Sequence, residues 1–116
     1  MHPTTMRELT TPEHWQAALE ASHERFVFIF KHSTACPISA AALQRVEAYK
    51  AEHPDAPEFV MVKVIESRPV SNAIAQGLGV EHRSPQLILL RAGECVSMHS
   101  HHGINAGNIA GAMAEF

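Results

Sequence analysis

A chain of 116 residues, 46% of them apolar and 18% charged, is long enough for one shared core, so a single domain over residues 1–116 is expected. A net charge of −3 leaves no basic stripe for nucleic acid or an anionic membrane, and no apolar run approaches the roughly 18–20 residues that span a bilayer. Two cysteines give no disulfide framework, and the polar first residues lack the apolar stretch of a signal peptide, which together point to a reducing, cytoplasmic setting.

Thr11 and Pro12 open the first predicted helix as cap and first helical residue, with Trp15, Ala18 and Leu19 on its buried face. Phe26-Val27-Phe28-Ile29-Phe30 is a continuous apolar, β-rich run and reads as a buried strand, followed by a polar turn over residues 31–35. The second helix runs from about Pro37 to Glu52 with Ile38, Ala42, Val46 and Tyr49 along one side, and Pro54 and Pro57 prevent its continuation. Residues 59–65 form a second strand. Pro69 starts a third helix that carries Val70 and Ile74 and ends near Gly77 and Gly79. Residues 86–90 and 94–98 are two more strands, joined by a tight Ala92-Gly93 turn into an antiparallel hairpin. Ile104-Asn105 leads into a last helix with Ile109, Ala112 and Met113 inward. The order α-β-α-β-α-β-β-α, with its parallel βαβ unit, predicts an α/β fold with a mixed four-stranded sheet flanked by helices.

Cys36 stands where the first strand hands over to the second helix. The unpaired N–H groups of a first helical turn stabilise a thiolate, and cysteines so placed have pKa values lowered from about 8.5 to roughly 3.5–7.5. That position makes Cys36 the candidate nucleophile rather than a structural core cysteine. Pro37 suits the first helical position and would stiffen the backbone beside the thiol. Ser39 occupies the place where a Cys-x-x-Cys motif has its second thiol. Its hydroxyl either reaches the sulfur or is a solvated first-turn serine, and in both cases it cannot resolve a mixed disulfide, so release falls to a second molecule's thiol.

His32 and Arg83 are candidates to supply positive charge near the thiolate, against the alternative of solvated loop residues, which is favoured for Arg83. Cys95, in the fourth strand, reads as inert, with a distant resolving thiol as the minority reading; that role needs Cα atoms within about 7 Å. His99-Ser100-His101-His102 could share a metal ion, but nothing at ligand spacing apart from Cys95 completes a set, so no metal is expected.

The element order resembles that of the thioredoxin-like superfamily. His32-Ser33-Thr34-Ala35-Cys36-Pro37-Ile38-Ser39, together with His82-Arg83-Ser84-Pro85-Gln86 and His99-Ser100-His101, resembles the YtxJ family of monothiol bacilliredoxins over nearly the whole chain. His102-Gly103 departs from the aromatic residue expected there. The resemblance implies that Pro85 is a cis-proline facing Cys36 and that the backbone of Ser84 meets a substrate peptide; without it, Pro85 reads as a proline starting a strand. It also implies monothiol thiol–disulfide exchange that removes bacillithiol from oxidised cytoplasmic proteins. The partners would be S-thiolated clients and the small thiol bacillithiol, a co-substrate, with no bound cofactor and a monomer or weak dimer as the working form. The alternatives are a redox-inactive thioredoxin-like module that docks a protein partner and, ranked last for want of a recycling cysteine, a peroxidase-like or arsenate-reducing enzyme.

Overall fold

The computed structural model describes residues 6–114. In chain order these form β1 (Arg7–Glu8), α1 (Pro12–Ala21), β2 (Val27–His32), α2 (Pro37–Glu52), β3 (Glu58–Lys63), α3 (Arg68–Leu78), β4 (Gln86–Arg91), β5 (Glu94–Ser100), a 3-10 turn (His101–Gly103) and α4 (Ala106–Ala114). The sheet order is β1-β3-β2-β4-β5. β2 and β3 run parallel through the α2 crossover, whereas β4 is antiparallel to β2 and β5 to β4. The expected architecture is therefore present with five strands rather than four.

The continuous apolar runs of β2, β3 and β4 have a simple cause: both sheet faces are covered. Phe28, Phe30, Phe59, Met61, Leu87 and Leu89 pack with Ala42, Val46 and Tyr49 of α2 and Ile109 and Ala112 of α4. Val27, Ile29, Val60, Val62, Ile88 and Leu90 meet Trp15 and Ala18 of α1 and Val70 and Ile74 of α3 on the other face. Phe28 and Phe59 sit on neighbouring strands with ring centroids 4.5 Å apart, joining the parallel pair near its N-terminal end.

Four local expectations are corrected. The added strand β1 has only two residues, too few to show a period, and it pairs with β3, helped by ion pairs from Arg7 to Glu58 (3.2 Å) and Glu8 to Lys63 (3.4 Å). β2 continues through Lys31 and His32, which are buried strand residues and not the start of a turn. Ile38 is 46% exposed, and Ser39 takes the buried place on α2 in line with Ala42, Val46 and Tyr49. β5 reaches Ser100, so His99 belongs to a strand and not to a histidine-rich loop.

Candidate active site

The strand register brings the predicted site residues to one end of the sheet. Lys31 of β2 stands opposite Gln86 of β4, which stands opposite Ser100 of β5. The next residues outward are His32, Pro85 and His101, and the His101 N–H donates to the Pro85 carbonyl at 3.3 Å. Cys36 lies on the short return from His32 into α2, at the same end.

Cys36 is the N-cap of α2. Its backbone is extended (φ −118°, ψ 120°), and its carbonyl accepts the Ala40 N–H at 3.1 Å, closing the first helical turn. Its own N–H donates to the Ser33 carbonyl at 3.3 Å, which tightens the approach to the helix. Pro37 brings no N–H, and the Cys36 side chain makes no cap hydrogen bond to α2. The amides of Ile38 and Ser39 are thus the donors left for an acceptor at the cap, where the positive end of the dipole of a 16-residue helix also lies. Cys36 as a residue is partly exposed, on the surface at this end of the sheet.

Ser39 is turned inward. Its hydroxyl oxygen accepts the Ser33 N–H at 2.9 Å and lies 2.7 Å from His32 Nδ1. Burial pushes the His32 pKa down, Lys63 pushes it the same way, and Glu66 opposes them. The imidazole is therefore neutral at pH 7, and its Nδ1 shares a hydrogen bond with the Ser39 hydroxyl. With its ring also stacked on Phe30 (centroids 5.7 Å apart), His32 braces the turn before Cys36 and supplies no positive charge to it. Replacing Ser39 with alanine leaves the part-buried Ser33 amide and the buried His32 ring nitrogen without these partners, and is expected to cost about 1–3 kcal/mol in denaturant unfolding. Acid should act at the same place. The unfolded chain protonates His32 near pH 6.5 and the folded chain does so only below that, so stability falls as pH drops through and below about 6.5. Urea unfolding at pH 7.5 and 5.5 reads this, and His32→Gln should reduce the difference, leaving the part contributed by His82, whose pKa burial also lowers.

The Ser84–Pro85 peptide bond is cis, as the resemblance implied. Pro85 is buried, while Arg83 is exposed and pairs with exposed Glu81 at 3.5 Å, in keeping with the solvated reading. Two further ties shape the rim. Thr34 Oγ1 donates to Glu66 at 2.8 Å, linking the turn before Cys36 to the turn between β3 and α3. Arg45 of α2 donates to the carbonyls of Ile104 (2.6 Å) and His101 (3.0 Å), clamping the 3-10 turn against the helix. Sequence reasoning missed Arg45, Gln86 and the burial of Lys31. Arg45 carries no motif, whereas a lysine ending an apolar strand run is a weak signal of a buried charge.

Cys95 lies elsewhere. It pairs with Leu90 of β4, which stands opposite Val27 at the far end of β2, four residues along β4 from Gln86. At about 3.4 Å per residue this separates it from the Cys36 end by roughly 14 Å, well outside the reach of a disulfide. The minority reading of Cys95 as a resolving thiol therefore fails. Burial raises its pKa, and its Sγ–H is directed to the Ser97 carbonyl at 3.4 Å. Among the described residues, no group of three or more His, Cys, Asp or Glu side chains is placed to hold a metal ion. His99 lies on β5 next to Ser97, while His101 and His102 are exposed on the 3-10 turn.

Comparison with known proteins agrees with this geometry. The family model described as monothiol bacilliredoxin BrxC matches residues 7–109. A solved structure described as a candidate oxidoreductase with a thioredoxin fold is similar at a TM-score of 0.84 and 30% identity, over 93% of each chain. The thioredoxin of Fasciola hepatica has a TM-score of 0.75 and 20% identity over 95% of this chain and 98% of its own. Mitochondrial thioredoxin 3 of Saccharomyces cerevisiae has 0.73 and 15% over 97% and 96%. The last two speak for the fold alone.

Proposed function

The chain belongs to the monothiol bacilliredoxin family, and from that premise we propose that it removes bacillithiol from mixed disulfides on oxidised cytoplasmic proteins, with Cys36 as the nucleophile. Its class is that of a thioredoxin-like thiol oxidoreductase. The observation that carries the finer reading is the pairing of a partly exposed Cys36 at the cap of α2 with a Ser39 turned inward to His32. One thiol can attack, and none within reach can resolve.

The Cys36 thiolate attacks the bacillithiol sulfur of the mixed disulfide. The client sulfur leaves as a thiolate and takes a proton from solvent, and a new disulfide joins Cys36 to bacillithiol. A second bacillithiol thiolate attacks that disulfide, giving oxidised bacillithiol and the Cys36 thiolate. Each step exchanges one S–S bond for another, so no bound cofactor is required. Ser84 and Pro85 are the backbone against which the client peptide docks, and Pro37 keeps the thiol's backbone fixed.

The test offers the purified protein two model substrates, one bacillithiolated and one glutathionylated, and locates the adduct by peptide mapping. Preferential transfer of bacillithiol to Cys36 supports the proposal. Equal use of both thiols removes the bacillithiol assignment. An absence of transfer from either leaves a fold that docks partners without redox chemistry.

A further inference from the structure

Lys31 is not explained by the exchange reaction. It lies on the face of β2 that meets α3 and is fully buried. Its Nζ donates to the Ser71 carbonyl of α3 at 3.0 Å and lies 3.4 Å from His82 Nδ1. Directly across the β2–β4 ladder, Gln86 is also fully buried, and its Nε2 donates to the Glu81 carbonyl at 3.0 Å. Glu81 and His82 belong to the segment 80–85, which has no helix or strand of its own and ends in Ser84 and Pro85. Two buried polar side chains from adjacent strands thus grip consecutive residues of one irregular segment.

Core stability does not account for this. Removing an ammonium from water is unfavourable, and apolar side chains of similar volume commonly replace buried charges without loss. Oε1 of Gln86 is, moreover, buried without a hydrogen-bond partner among the described residues, a further penalty that an apolar side chain at 86 would avoid. What the polar pair does achieve is a fixed position for the segment next to it. Lys31 and Gln86 stand one residue inward of His32 and Pro85, directly beneath the end of the sheet that carries Cys36.

We propose that Lys31, together with Gln86, is a positioning residue: through His82 and Glu81 it holds segment 80–85 so that the Ser84-Pro85 backbone is presented beside Cys36 to an incoming protein disulfide. The inference rests on the reading of Cys36 as the nucleophile. The ionisation states suit the contact. Burial lowers the Lys31 pKa only to about 8, so at pH 7 it is a cationic donor. Burial, Lys31 and Arg68 of α3 all lower the pKa of His82, which leaves its ring neutral and able to accept.

The test compares wild type with Lys31→Met and, independently, Gln86→Leu. Backbone order parameters of residues 80–84 are measured by NMR, steady-state KM and kcat with a bacillithiolated protein, and the rate of Cys36 alkylation by iodoacetamide. Loss of one charge-assisted hydrogen bond should raise KM roughly tenfold, with kcat and the alkylation rate changed less than about twofold. Order parameters at 80–84 should fall from about 0.85 towards 0.6. Thermal stability should be held or increased in Lys31→Met, which a purely structural role for the lysine would not give. Unchanged order parameters in both variants overturn the grip, and loosened segments with an unchanged KM overturn its part in docking. If wild type does not take up the small thiol, the exchange reading falls and the docking role with it, while the order parameters still decide whether Lys31 holds the segment.

Discussion

Changing Cys36 to serine is expected to abolish thiol exchange, lowering turnover of a bacillithiolated protein by about 10⁴-fold or more, the scale on which losing a nucleophile acts. The fold should not suffer. Cys36 is the N-cap of α2 and its side chain caps nothing, whereas serine is among the preferred residues at that position. Cys36→Ser should therefore be as stable as wild type, or more so by up to about 1 kcal/mol. Activity and stability then move in opposite directions, which separates lost chemistry from lost structure. Cys95→Ser is the control. That thiol sits at the far end of the sheet with its pKa raised by burial, and its loss should change turnover less than about twofold. Loss of activity in Cys95→Ser would mean that the second thiol takes part and that the monothiol account is wrong.

The second large effect is a change of mechanism. Ser39→Cys places a thiol three residues beyond Cys36, at the first turn of α2. Side chains so spaced lie roughly 5–6 Å apart at Cβ, close enough for a disulfide to form with a small adjustment. After the first exchange, the introduced thiol should attack the disulfide between Cys36 and bacillithiol. This releases the small thiol and leaves an internal disulfide between Cys36 and position 39, visible as a protein two hydrogens lighter with no adduct. The wild-type protein should retain the adduct under the same conditions. A thiol at position 39 cannot reproduce the short bond to His32 and the bond from the Ser33 amide, so the variant should also be less stable by about 1–3 kcal/mol. A persistent adduct on Cys36 in Ser39→Cys would show that the inward path of this side chain does not lead back to the sulfur.

Much of this was legible in the sequence. The apolar runs around Phe28, Val60 and Leu89, the helices between them and the closing hairpin fix the fold class, and Cys36 is found from its place between strand and helix. Other features depend on partners far along the chain. Lys31 reads as the start of a polar turn, because its burial needs the Ser71 carbonyl 40 residues on and a histidine 51 residues on. Ile38 is expected on the buried face for its apolarity. The spacing back from Tyr49 through Val46 and Ala42 leads instead to Ser39, and the buried hydroxyl at 39 with its bonds to His32 and Ser33 occupies that place. The remoteness of Cys95 is a matter of register, which turns on how β4 and β5 pair. Strand β1 is two residues long and leaves no periodic trace.

The central claim is that a single sulfur carries the small thiol and a second molecule must remove it. Reduced protein is mixed with excess bacillithiolated substrate in the absence of any free thiol, and intact mass is followed over time. The expected result is one equivalent of client thiol released, an adduct on Cys36 that stays, and further turnover only when free bacillithiol is added. Continued turnover without added thiol, or an adduct that moves to Cys95, would contradict the account.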